Sequence, residues 1–257
     1  MKLTFLGTGT STGVPQLRCR CKVCTSDDIR DRRLRTSALI ELEGKNILID
    51  CGPDFREQML RQGSPSIDAV LLTHEHYDHT GGIDDLRPYS YGEKPLYVYG
   101  DKRTTSELLR RQPYCFGMSD YPGVPQLRIK TIGDERFKLE GFNDLEITPL
   151  IVSHGKLDVT GYRIGGLSYV TDCLTMPAET LERLRGSDTL VINALRFKSH
   201  GSHQTVGEAL EIIRKVEPRQ AFLVHASHDI GLYRETQKLL PAGVFLAYDE
   251  MSVDVMQ

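Results

Sequence analysis

Between Thr73 and Gly82 the chain reads T-H-E-H-Y-D-H-T-G-G, directly after the apolar run Ala69-Val70-Leu71-Leu72. The apolar run predicts a buried strand over Ala69–Thr73. Any fold for this chain must therefore gather His74, His76, Asp78 and His79 at one strand end. On a strand, residues two apart share a face, which would aim His74 and His76 the same way. Asp78 and His79 then turn off that end, with Gly81 and Gly82 supplying the backbone freedom. Four metal-binding side chains within six residues point to a centre able to hold two ions on different ligand sets. A polar surface loop or a single structural zinc would not require that order, so a catalytic metal site is expected.

Strand patterns recur at Lys2–Leu6, Ala38–Glu41, Asn46–Asp50, Leu96–Tyr99, Leu145–Ile151, Val159–Ile164, Ser168–Thr171, Thr189–Asn193 and Ala221–Val224. Helix patterns fall at Asp54–Gln62, Lys102–Arg111, Pro177–Arg185, Thr205–Val216 and Ile230–Leu239. Helices between groups of strands predict two packed sheets with helices outside, a four-layer α/β sandwich. No composition break or low-complexity linker divides the 257 residues, so one domain over 1–257 is expected. The stretch Gln112–Gln126 is rich in Pro, Gly and aromatic residues and reads as a long loop, a candidate active-site lid.

A net charge of −3 gives no basic footprint for a large polyanion, although bound metal would add positive charge near a small anionic substrate. Nucleic-acid polymers are therefore not expected as partners. The apolar start, Met1–Gly7, is too short for a secretory segment, and no run approaches a membrane span. A cytoplasmic protein is expected, with no membrane association; a homodimer is compatible with the sequence. In a reducing compartment the six cysteines read as metal ligands or thiols rather than disulfides.

Past the opening motif, candidate ligands recur singly at strand ends: His154, Asp172 and His225. With His74, His76, Asp78 and His79 they make seven ligands, about what two neighbouring ions need. His203-Gln204-Thr205 leads into a T-x-x-E capping box (Thr205, Glu208) and an apolar helical stripe. His203 thus precedes a helix N-terminus, where an anion is favoured; the alternative is a solvated loop histidine. His200 reads as surface. The opening glycines, Gly7, Gly9 and Gly13, lack the Gly-Lys-Ser/Thr of a phosphate loop and are expected to allow a tight turn near the metals. Cys19, Cys21 and Cys24 form a C-x-C-x2-C cluster in the 15–30 loop, three thiolates that need a fourth ligand for a closed zinc site; reduced thiols or a redox switch are the alternatives. Cys51, Cys115 and Cys173 lack such spacing, and Cys51 and Cys173, directly after Asp50 and Asp172, read as small buried fillers. The run Arg30–Arg35 reads as a solvated helix face, and Asp84, Asp85 and Arg87 as braces of a following helix.

These residues resemble the metallo-β-lactamase superfamily over nearly the whole chain, which implies its αββα sandwich. Asp50 in L-I-D-C-G matches the first family signature, the T-H-E-H-Y-D-H run the second, and His154, Asp172 and His225 the third to fifth. The resemblance implies that His74, His76 and His154 hold one metal, that Asp78, His79 and His225 hold the other, and that Asp172 bridges them. Asp50 would brace a ligand from behind. Histidine at position 76, where the oxygen-reducing diiron branch has Glu, favours hydrolysis with Zn or Mn. The H-x-T at His203 and the opening glycines resemble the phosphodiesterase branch, including tRNA 3′-processing nucleases and phosphonate-pathway cyclic phosphodiesterases. The latter also resemble the cysteine cluster completed by His228, which implies one structural zinc. The expected function is hydrolysis of a small phosphodiester, of cyclic nucleotide or ribose-phosphate type, by a hydroxide shared between two divalent ions. Asp78 and His203 would be its catalytic side chains. The rivals are a tRNA 3′-endonuclease, a glyoxalase II-like thioesterase and a non-catalytic metal-binding carrier from cofactor biosynthesis.

Overall fold

The computed structural model describes residues 1–91, 95–118, 121 and 123–256. Two seven-stranded sheets face each other. The first contains β1 (Lys2–Gly7), β2 (Ser37–Leu42), β3 (Lys45–Ile49), β4 (Ala69–Leu71), β5 (Leu96–Asp101) and β6 (Leu127–Ile132) in that order. The second contains β7 (Phe137–Lys138), β8 (Glu146–His154), β9 (Leu157–Ile164), β10 (Leu167–Val170), β11 (Thr189–Asn193), β12 (Gln220–Val224) and β13 (Val244–Leu246). The last strand, β14 (Ser252–Asp254), crosses back and pairs with β1 in the first sheet. In both sheets an antiparallel start gives way to parallel pairing, from β3 to β6 and from β10 to β13.

Strand periodicity explains the layering. Leu3 and Phe5 of β1, Ile47 and Ile49 of β3, and Phe222 and Val224 of β12 point into the core shared by the sheets. The alternate residues Leu6, Leu48, Ala221 and Leu223 point outward and are also buried, under helices. Covered on both faces, such strands read as apolar runs rather than as alternations. Helices α1 (Phe55–Arg61) and α3 (Lys102–Arg111) contribute Phe55, Met59 and Leu108 to the cover of the first sheet. Helices α4 (Ala178–Leu184) and α5 (Val206–Val216) contribute Leu184, Val206, Ala209 and Ile213 to the cover of the second. The expected four-layer sandwich is the observed one.

Several local expectations are corrected. Strand β4 stops at Leu71, and His76 caps a four-residue helix, α2 (Tyr77–Thr80), so the His74–His76 stretch is not strand. Gly81 has helical dihedrals and Gly82 also keeps a negative φ, of −97°, so neither uses the left-handed freedom of glycine. They are needed for closeness, because a Cβ on Gly82 would strike the Gly52 carbonyl and one on Gly81 would meet Tyr77. The Arg30–Arg35 run is not a solvated helix face. Only Ile29–Asp31 makes a 3-10 turn, and Arg33 is buried, donating to the Thr8 hydroxyl and the Ala247 carbonyl. The segment after the metal motif is a 3-10 helix over Ile83–Ser90, braced as expected by an Arg87–Asp84 ion pair at 3.0 Å. At the C-terminal end only α6 (Tyr233–Gln237) is α-helical within the predicted Ile230–Leu239. Of the Gln112–Gln126 loop, Ser119, Asp120 and Pro122 lie outside the described residues. Its described part docks on the 3-10 helix and the residue after it, through Gln126 N–H to Ser90 Oγ and Tyr91 O–H to the Gly123 carbonyl. Among the described residues no helix is long and apolar enough to cross a membrane.

Candidate metal centre

The candidate ligands sit at C-terminal ends of strands on one rim of the two sheets. Asp50 follows β3, His154 ends β8, Asp172 lies two residues past β10 and His225 follows β12. Asp50, Asp172 and His225 adopt left-handed backbone, with φ of 60°, 54° and 56°. Each such residue costs on the order of 1–3 kcal/mol, and the twist re-aims its side chain off the strand axis.

The seven side chains converge. His79 Nε2 lies 3.2 Å from both Asp78 Oδ2 and Asp172 Oδ2. His225 Nε2 lies 3.3 Å from Asp172 Oδ1 and 3.6 Å from Asp78 Oδ2. His74 Nε2 is 2.9 Å from His76 Nδ1, and the His76 and His154 rings are 5.4 Å apart. Ligands held about 2.0–2.1 Å from one ion stand roughly 2.9–3.4 Å from one another, so these spacings suit shared cations. Buried nitrogens without a hydrogen-bond partner supply the second test: His79 Nε2, both nitrogens of His225 and His203 Nδ1. Such atoms are expensive to bury unpaired, and a metal ion satisfies them. The residues present fit divalent metal.

The clustering refines the expected sets. Asp78, His79 and His225 form one group. Asp172 belongs to two others, with His74 and His79 and with His154 and His203, which suits a bridging carboxylate. His203 therefore stands among the candidate ligands, its Nδ1 3.6 Å from Asp172 Oδ1. Its position before α5 is as read, since Thr205 and Glu208 form the reciprocal capping box. Burial and the neighbouring His225 imidazole depress the His203 pKa to about 3, so the ring is neutral near pH 7. Burial alone would hold His79 down, but the carboxylates of Asp78, Asp50 and Asp172 outweigh it and push its pKa well above the usual value. Burial would raise Asp172, but His225 and His79 hold it well below.

A further set of groups fixes these side chains. Asp50, fully buried, accepts from Thr73 N–H at 2.8 Å, from the Thr73 hydroxyl at 2.9 Å and from His79 Nδ1 at 2.6 Å. It thus holds His79 as expected. Sequence reasoning missed the other braces. The Ser202 carbonyl takes the His154 Nδ1 proton at 2.7 Å. Asn193 clamps the backbone after Asp172, bonding both N–H and C=O of Cys173. Glu75, between two ligands, is buried and pairs with Arg103 at 2.7 Å, while Arg111 donates to its carbonyl at 2.6 Å. A buried Glu inside H-E-H was the available signal, because such a charge demands a partner.

The Cys19, Cys21 and Cys24 sulfurs lie 3.2, 3.3 and 3.5 Å from His228 Nδ1, a closed four-ligand set. Against the burial that would raise it, hydrogen bonds from the Cys24 backbone and His228 draw the Cys21 thiol down to about 6, toward the thiolate a metal takes. The loop before it threads beside His225: Ala226 N–H bonds the Thr8 carbonyl, and Thr10 N–H bonds the Ala226 carbonyl. Gly7 and Gly9 permit this through closeness, since a Cβ on either would strike backbone of residues 33–35. Cys51 and Cys173 are buried thiols, as read, and Cys115 is buried as well.

With this geometry in view, the comparisons are specific. The model of the β-lactamase superfamily domain matches residues 45–226. A crystal structure of a diphosphatase from the PhnP family superposes with a TM-score of 0.91 at 38% identity, covering 99% of this chain and 98% of that one. Zn(2+)-bound PqqB from Methylobacterium extorquens superposes at 0.80 with 21% identity over 99% of this chain and 100% of that one, a likeness of fold alone. An octanoyltransferase from Porphyromonas gingivalis is 43% identical over 252 residues, 97% of this chain but 50% of that protein. The chain therefore spans about half the length of that curated relative. On the match of its residues 45–226 and its likeness to the diphosphatase, the chain belongs to the metallo-β-lactamase superfamily, in its PhnP-like branch.

Proposed function

We propose that the chain is a dinuclear metal-dependent phosphodiesterase acting on small phosphodiesters of cyclic nucleotide or ribose-phosphate type. The observation that carries this reading is the placement of His203, at the mouth of α5 and 3.6 Å from the shared carboxylate Asp172. A thioester hydrolase expels a thiolate and has no need of a donor there, whereas a phosphodiester must expel the poorer alkoxide. His74, His76 and His154 would hold one Zn or Mn ion, Asp78, His79 and His225 the other, and Asp172 both, while Cys19, Cys21, Cys24 and His228 hold a structural zinc. Bound divalent ions supply an acidified water and neutralise charge on phosphoryl oxygens. Asp50 keeps His79 in the tautomer that leaves Nε2 open, and Ser202 does the same for His154. His203, neutral, would hydrogen-bond the leaving oxygen through its Nε2–H and steady the charge that builds there, while that oxygen takes its proton from water.

The likeness to a PhnP-family diphosphatase supports phosphoryl chemistry, and the octanoyltransferase name brings acyl chemistry in as the second reading. One assay separates them. Protein loaded with Zn or Mn is offered bis(p-nitrophenyl) phosphate, 2′,3′-cyclic nucleotides, an octanoyl thioester and a tRNA precursor. Turnover of the first two supports the proposal; turnover of the thioester or the tRNA precursor alone refutes it.

A further inference from the structure

The connection from β11 to α5 carries His203 into the centre and, three residues earlier, a second imidazole outside the expected ligand set, His200. The His200 ring centre lies 5.3 Å from that of His203, at an interplanar angle of 30°. His154 and His225 also pack on His203, with centres at 4.6 and 4.8 Å, but both are buried whereas His200 is exposed. It therefore stands at the open side of the imidazole assigned to the leaving oxygen.

Its orientation is set in advance. The Ser202 N–H donates to His200 Nδ1 at 3.3 Å, and the Ser202 hydroxyl lies 3.2 Å from the same nitrogen. Nδ1 is thus the acceptor, and the neutral ring carries its hydrogen on Nε2 as a donor. The carbonyl of the same Ser202 receives the His154 Nδ1 proton, so one residue orients both rings. Arg196 holds the rest of the connection, donating to the Lys198 and Ser199 carbonyls at 3.3 and 3.1 Å and pairing with Asp229 at 3.0 Å. A donor fixed this way contributes to binding without a further ordering cost.

An oxygen hydrogen-bonded to His203 lies about 4 Å from its ring centre, which leaves His200 within reach of atoms one or two bonds farther along the leaving group. Resting on the phosphodiesterase reading, we propose that His200 is a second leaving-group contact. Its Nε2–H binds an acceptor oxygen beside the leaving oxygen, so the site selects substrates whose leaving group carries a further hydroxyl or phosphate. The hydroxyl would belong to a ribose and the phosphate to a diphosphate diester.

The test compares wild type, His200→Ala and His200→Gln as metal-loaded protein, on three substrates. In 2′,3′-cyclic AMP the leaving oxygen neighbours ribose oxygens, in ADP-ribose it belongs to a phosphate, and in bis(p-nitrophenyl) phosphate it has no neighbouring acceptor. For one of the first two, His200→Ala should lower kcat/KM at least tenfold more than for bis(p-nitrophenyl) phosphate, mainly through KM, with wild-type metal content. Glutamine, which keeps a donor, should recover most of the loss, and the affected substrate identifies the oxygen. Equal losses on all three substrates, or loss of bound metal, would assign His200 a structural role through Ser202 and overturn the proposal, as would no selective loss on either oxygen-rich substrate. Wild type that hydrolyses none of the three refutes the phosphodiesterase reading and this proposal together, an outcome distinct from a failure confined to His200.

Discussion

Replacing Asp50 by asparagine removes one charge and almost no volume from behind the metal centre. Asparagine tolerates left-handed backbone as aspartate does, so the φ of 60° adds no strain. Its remaining carbonyl oxygen can serve Thr73, but its NH2 then faces the proton on His79 Nδ1. Two donors at what was a 2.6 Å contact repel each other, and His79 loses a charge-assisted bond of about 1.5–3 kcal/mol. The ring no longer aims Nε2 between Asp78 and Asp172. The ion that His79 helps to hold should then bind roughly 10–100-fold more weakly, as for other lost braces behind a ligand. The assay is titration of metal-stripped protein with Zn against a competing chelator. Asp50→Asn should weaken the site containing His79, while the cysteine site keeps its affinity. A tenfold weaker site also gives about 1.4 kcal/mol less metal-induced stabilisation. The metal-free protein also loses the buried His79 bond and should melt below wild type, so metal affinity rather than melting temperature is the deciding readout. Unchanged affinity at every site would refute the role of Asp50 as the brace of His79.

His203→Ala should keep the metal content and lose about 10²–10⁴-fold in kcat on a phosphodiester; normal turnover would remove His203 from the mechanism. Cys21→Ser should lose about one zinc per chain by elemental analysis while the catalytic pair stays; unchanged stoichiometry would argue against the four-ligand site. Glu75→Gln leaves Arg103 and the backbone between two ligands less tied, and should cost about 1–3 kcal/mol in urea unfolding, the lower end reflecting the half-exposed Arg103. Burial raises the Asp249 pKa to about 6, against hydrogen bonds from Leu34 N–H and Thr8 and the charge of Arg33. A carboxyl raised in the folded state favours folding below its unfolded pKa and loses that contribution as pH rises through about 6. The stability of wild type relative to Asp249→Asn should therefore fall between about pH 4 and 6; a flat difference would refute the shift.

What the sequence made legible follows from where the signal lives. The ten predicted strands are core strands, and burial on both faces leaves apolar runs that no other element of that length explains. The strands that escaped notice, β6, β7, β13 and β14, form the sheet margins. β14 is three residues with an exposed-intermediate-exposed pattern, and only its partner β1, some 250 positions away, makes it a strand. Distant pairing of that kind leaves no local periodicity to read. Arg33 was misread for the same reason. Its burial depends on the Ala247 carbonyl, which the fold delivers from the far end of the chain.

The candidate metal ligands were legible because their chemistry is residue-specific, whereas the groups that hold them are not. Asp50 carried a signature, but Ser202 acts through its backbone carbonyl and Thr73 through its N–H as well as its hydroxyl. A backbone carbonyl is present at every residue, so no pattern of side chains singles out the one that matters. Left-handed backbone at Asp172 and His225 is equally silent, since glycine, the residue that announces positive φ, is excluded where a ligand is required. A site of this kind is therefore read from sequence as a set of ligands but not as a geometry. The distinction matters for His203, which its place before a helix and the H-x-T resemblance mark as a catalytic side chain. Its 3.6 Å approach to Asp172 places it equally among the donors around that carboxylate. The metal content of His203→Ala decides between the two, because only a ligand takes an ion with it when it is removed.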